Sequence, residues 1–89
     1  MTEEQESLLQ FPCQISVKAM GLSAPDFDLV VAEIVRQHVP NLSEGAVRSR
    51  PSKGGKYQAV TVTFEASSRE QLDAIYYAFT AHERILMSL

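Results

Sequence analysis

The nine residues from Tyr57 to Glu65 alternate with a strict two-residue period and follow closely on the chain's one pair of adjacent glycines, Gly54 and Gly55. Val60, Val62 and Phe64 fall on one side of this segment, and Tyr57, Ala59, Thr61, Thr63 and Glu65 on the other. Its β-branched content suits a pleated surface. Upstream, Ala46 to Ser52 reads as a second, weaker strand. Pro51 sets that strand at a sheet edge or at the start of the turn, because proline donates no ladder hydrogen bond. Together these segments predict a glycine-tipped β-hairpin with one apolar side. A lone hairpin is marginal in water, so the rest of the chain must supply strands or helices to cover it.

It does so on both flanks. Cys13, Ile15, Val17 and Ala19 alternate with Gln14, Ser16, Lys18 and Met20, predicting a half-buried strand that Gly21 ends. Ser23 or Asp26 can cap a helix beginning near Pro25, whose stripe is Phe27, Val30, Val31, Ile34 and His38, and Pro40 stops it. Its valines are poor helix formers, so burial must supply most of its stability. After the hairpin, Ser67 or Ser68 offers an N-cap. Leu72, Ile75, Tyr76 and Phe79 then mark a second helix ending near His82, and Ile85, Met87 and Leu89 a final short strand.

Strand, helix, hairpin, helix, strand is the ferredoxin-like βαββαβ plan, an α+β sandwich in which two helices cover one face of a four-stranded antiparallel sheet. Right-handed crossovers place the first and third strands in the centre. The apolar sides, Ile15, Val17, Val47, Val60, Val62, Ile85 and Met87, are expected under the helices. The open face is expected to be polar and mildly basic, with Gln14, Ser16, Lys18, Arg48, Arg50, Tyr57, Thr61, Thr63, Arg84 and Leu86.

Eighty-nine residues, 45% of them hydrophobic, make one domain with one core. The net charge of −3 comes from Glu3, Glu4 and Glu6, because residues 7–89 carry eight acids against eight bases. Residues 1–10 are therefore read as a polar acidic leader, disordered or forming a short helix through Leu8 and Leu9, and residues 11–89 as the domain. The leader lacks the basic region and apolar run of a signal peptide, and no apolar run is long enough to span a bilayer, so a cytoplasmic location is expected. One cysteine, Cys13, excludes an internal disulfide and a multi-thiolate zinc site.

The residues Phe11-Pro12, the stretch Lys18 to Gly21, and Ser52-Lys53-Gly54 ahead of Tyr57 resemble the YbeD-like family of small bacterial proteins. The resemblance covers nearly all of the chain after the leader. It implies a ferredoxin-like fold similar to the ACT regulatory domains of amino-acid-metabolism enzymes. The hairpin tip departs from the family pattern, with Gly55 and Lys56 lying between Gly54 and Tyr57 where the family has one residue.

Four of the eight basic side chains, Arg48, Arg50, Lys53 and Lys56, sit within nine residues, and no acid lies between Glu44 and Glu65. With Lys18, Gly54, Gly55 and Tyr57 they form the candidate ligand- or partner-binding set. The glycines allow positive φ and close backbone approach, and the cations suit a carboxylate or phosphate. The plainer reading is a solvated loop whose lysines blunt an edge strand. A second candidate is the turn Met20 to Asp28, where ACT domains bind amino acids. Gly21 could bring backbone close to a ligand there, but Asp26 and Asp28 oppose an anion and read better as helix caps.

Little in the chain suggests catalysis. Cys13 reads as a small buried hydrophobe, His38 and His82 as structural, and the first strand-to-helix turn lacks the arginine of acylphosphatases. No enzymatic activity and no cofactor are expected. The leading reading is a regulatory or adaptor domain that contacts a protein with an acidic surface, senses a small anionic ligand, and self-associates as a homodimer, with no membrane partner. An RNA-binding module using the basic hairpin is the alternative. Against it, Ser16, Lys18, Thr61 and Thr63 stand where RNA-recognition sheets present stacking aromatics.

Overall fold

The computed structural model describes residues 10–89. Apart from Gln10, the expected acidic leader, whether disordered or helical through Leu8 and Leu9, lies outside the described residues. Six elements follow in the expected order: β1 (Cys13–Leu22), α1 (Phe27–Arg36), β2 (Val47–Pro51), β3 (Tyr57–Ala66), α2 (Arg69–Ala81) and β4 (Met87–Ser88). A 3-10 turn at Glu44–Ala46 leads into β2. The strands form one antiparallel sheet in the order β2-β3-β1-β4, with β1 and β3 central. This is the ferredoxin-like α+β arrangement.

The core lies between the sheet and the two helices. Val17 and Ala19 of β1 and Val60, Val62, Phe64 and Ala66 of β3 are buried against Phe27, Val31 and Val35 of α1 and Leu72, Ile75 and Phe79 of α2. The period-two and helical stripes of the sequence therefore meet as layered architecture demands. Ser68 caps α2, its hydroxyl accepting from the Gln71 amide at 3.1 Å. The Gln71 side chain reaches back to the Ser67 amide at 2.8 Å and donates to the His38 carbonyl at 2.7 Å, tying the start of α2 to the end of α1.

Four expectations need correction. First, β1 does not end at Gly21 but continues to Leu22, with Gly21 opposite Gln58 and Leu22 opposite Tyr57. A Cβ at residue 21 would lie 2.7 Å from the Phe27 ring and against the Arg84 carbonyl, so the glycine makes room for packing, not for a ligand. Second, α1 starts at Phe27, and Asp26 in the cap position makes no side-chain cap bond. Arg84 holds both of its carboxylate oxygens, at 2.9 and 3.1 Å, while Asp28 bonds the Leu29 amide.

Third, Met87 is not in the core. Ile85 is buried but lies in a turn, its amide donating to the His82 carbonyl, so its direction does not set the alternation of the strand that follows. Register places Met87 opposite Met20, on the open face and 56% exposed. Fourth, Arg84 does not join the open face, since it bridges to Asp26 and lies 5.9 Å over the Phe27 ring.

Candidate partner-binding face

The candidate site begins with strand parity. Residues directly opposite in an antiparallel pair share a face, so the register writes the open face as rows across the sheet. Arg48 on β2 stands beside Thr61 on β3, which stands beside Lys18 on β1. One row along, Arg50 faces Ala59 and Ala59 faces Met20. Lys18, Arg48, Ser49, Arg50, Ala59 and Thr61 line a shallow cleft of about 660 Å³. Three cations from two parts of the chain thus share one concavity whose lining contains no acid.

None of the three has a salt bridge among the described residues, in contrast to Arg69 with Asp73 and Arg84 with Asp26. Glu65 does face the open side, but it stands opposite Gln14 at the far end of the β1–β3 ladder. The cleft is therefore a cationic shelf able to take up an anion, and arginine forks on it can grip a carboxylate in bidentate fashion.

The other predicted residues separate from this shelf. Gly54 and Gly55 adopt φ of +88° and +78°, as the glycine-tipped hairpin requires. The turn is closed by the Gly55 amide on the Ser52 carbonyl at 2.9 Å and the Ser52 amide on the Tyr57 carbonyl at 2.8 Å. Lys53 and Lys56 are exposed at the tip and do not line the cleft. The Lys56 ammonium instead lies 5.5 Å from the centre of the Tyr57 ring. Tyr57 opens β3 and shares its row of the open face with Leu22.

Met20, Leu22, Met87 and Leu89 were missed as members of this face. Leu22, Met87 and Leu89 are each more than half exposed, and Met20 is half-buried. The even positions of β1 carried that signal for Met20, and a strand extended past Gly21 would have added Leu22. Nothing local gives the register of a two-residue β4. Among the described residues Tyr57 is the one aromatic ring on the open face, and the Ser16 and Thr63 hydroxyls bond each other at 2.8 Å in the central strands.

The turn after β1 is organised as a joint. A cleft of about 350 Å³ there is lined by Leu22, Ser23, Ala24, Glu83, Arg84 and Leu86. Two turn amides that could greet an anion are already engaged, Ser23 by the Lys56 carbonyl at 2.9 Å and Ala24 by Gln58 Oε1 at 3.2 Å. Gln58 also donates to Ser49 Oγ at 2.6 Å, so one side chain binds β3, β2 and the turn together. Arg84, the nearest cation, is committed to Asp26. Cys13 is half-buried opposite Ala66, and His82 Nδ1 accepts from the Arg84 amide at 3.2 Å. The described residues contain no cluster of three His, Cys, Asp or Glu side chains that could hold a metal, and no helix long and apolar enough to cross a membrane.

Residues 6–89 match the family model described as "Protein of unknown function (DUF493)". A UPF0250 protein of Chromobacterium violaceum is 43% identical over the full length of both chains, and one of Paraburkholderia phytofirmans 44% over the same extent. A third, from Neisseria gonorrhoeae, is 41% identical and is also covered completely. The solution structure of protein HP0495 from H. pylori is similar with a TM-score of 0.68 over 91% of this chain and 85% of that one, at 13% identity, a likeness of fold alone. The chain belongs to the DUF493 family, the bacterial UPF0250 proteins, as its YbeD-like first strand and hairpin imply.

Proposed function

We propose that this protein is a non-enzymatic regulatory or adaptor domain whose cationic shelf, Lys18, Arg48 and Arg50, docks the acidic surface of a protein partner. The observation that carries the reading is the convergence of three cations, from β1 and β2 and without salt bridges among the described residues, on one cleft without an acid in its lining. Like charges held together on a rigid sheet make an anion's arrival favourable and speed encounter with an acidic surface. The tip lysines, Lys53 and Lys56, extend the positive field beyond the shelf and steer approach. β2 and β4 are edge strands, which gives a partner strand or a second copy a route to extend the sheet.

The test is affinity recovery of partners from native lysate with wild type, with Lys18, Arg48 and Arg50 changed to alanine, and with Lys53 and Lys56 changed to alanine. A protein partner lost with the shelf variant and retained, with slower association, by the tip variant is the expected result. Equal recovery by all three folded proteins would remove the shelf from the function. If instead thermal shift shows a small carboxylate stabilising wild type but not the shelf variant, the shelf is a small-anion sensor.

A further inference from the structure

The open face carries a second, apolar territory beside the shelf. Met20 and Leu22 of β1, Tyr57 of β3, Met87 of β4 and Leu89 just after it all point to this side, by the pairs Met20 with Met87 and Leu22 with Tyr57 and by the mutual Lys18–Leu89 backbone bonds. Four of the five are between 38% and 66% exposed. A contiguous apolar area of this kind, bordered by charge, is the mark of an interaction surface. Methionines contribute adaptable, polarisable contact.

We infer that the partner's docking element is an amphipathic helix laid along β1, with its apolar stripe on this patch and a row of Asp or Glu on the flank that faces Arg48 and Arg50. The inference rests on the acidic-partner reading of the shelf and names the shape of what binds there. The dimensions fit. From β3 to β4 the patch spans two strand spacings, about 10 Å, which is the width of a helix with its side chains. From Lys18 to Leu22 it runs about 13 Å, or between two and three helical turns of about 5.4 Å each.

The charges fix the orientation. Arg48 and Arg50 lie on the β2 side, Lys18 on β1 itself, and among the described residues no cation lies on the β4 side of these rows, so a helix with acids on one flank only is selected over a uniformly acidic one. A second copy of the chain is the poorer occupant. Face-to-face pairing would bring two like-charged faces together, and β4 offers only two ladder residues as a template for edge pairing.

The experiment is a selection from a displayed library of random peptides of about 16 residues, long enough for about four helical turns, against the immobilised full chain. Enriched peptides are then titrated against wild type, Arg48→Glu/Arg50→Glu and Leu22→Ser/Met87→Ser. All four positions are exposed, so both variants keep the core. The expected result is a consensus with apolar residues at i, i+3 or i+4 and i+7 and acids on one flank, bound on the order of tenfold more weakly by each variant. Acidic peptides without helical periodicity, weakened only by the charge variant, would overturn the helix and leave the acidic-partner reading standing. Peptides indifferent to both variants would overturn both, and no enrichment at all would overturn the helix.

Discussion

A methyl group at residue 21 would meet the fully buried Phe27 ring at 2.7 Å and the backbone carbonyl of Arg84, and neither a core ring nor a main-chain atom yields cheaply. Gly21→Ala is therefore expected to cost about 1–3 kcal/mol in urea unfolding. Gly45→Ala, with nothing within 4 Å and no positive φ, should stay within about 0.5 kcal/mol of wild type. Equal losses at both would refute the packing role of Gly21. Asp26 gives a pH prediction. The hydrogen bond from Arg84, with its positive charge, holds the Asp26 carboxyl below its ordinary 3.8. Because the folded value is the lower one, the stabilisation is complete above about pH 4 and is lost as pH falls through the folded value. Asp26→Asn should thus be less stable than wild type at neutral pH, by the small amount an exposed pair allows, and the gap should close in acid. A gap that stays constant down to the acid limit would contradict this.

At the scale of elements, the start of α2 rests on local chemistry that a sequence displays directly. Ser68→Ala should cost about 1 kcal/mol in the same unfolding experiment, and a loss near zero would mean that water replaces the cap. The sequence offered Ser67 or Ser68 for this cap, and the bond from the Gln71 amide, three residues after Ser68, decides for Ser68. The central strands were legible because ten-residue ladders impose a long alternation. Other features depend on partners distant in the chain. Gln58 joins Ser49 and the Ala24 amide, and neither bond leaves a mark in the pattern around residue 58. Asp26 had the composition and place of a cap, and only the tertiary approach of Arg84 diverts it. β4 is too short for its alternation to declare a face, so Met87 was placed on the wrong side.

For the molecule as a whole, the open face was expected to be mainly polar and mildly basic. The structure divides it. Positive charge gathers on the β2 side, where the hairpin brings Arg48 and Arg50 beside Lys18, and exposed apolar side chains gather toward β4. The basic cluster was legible from the close spacing of its residues, but the separation of its shelf from its tip was not. Strand parity already set Lys18, thirty positions before Arg48, on the same face as Arg48 and Arg50, but spacing grouped the tip lysines with them, whereas the fold leaves Lys53 and Lys56 outside the cleft. Binding driven by such a shelf should weaken steeply with added salt, because the cations are exposed and screened. The most direct test is a two-dimensional NMR titration of the isotope-labelled chain with a short polyglutamate peptide at low salt, repeated on the variant with Lys18, Arg48 and Arg50 changed to alanine. The account predicts shifts concentrated at Lys18, Arg48, Arg50 and Thr61 that vanish in the variant. Shifts confined to Lys53 to Lys56, or persisting in the folded variant, would contradict it.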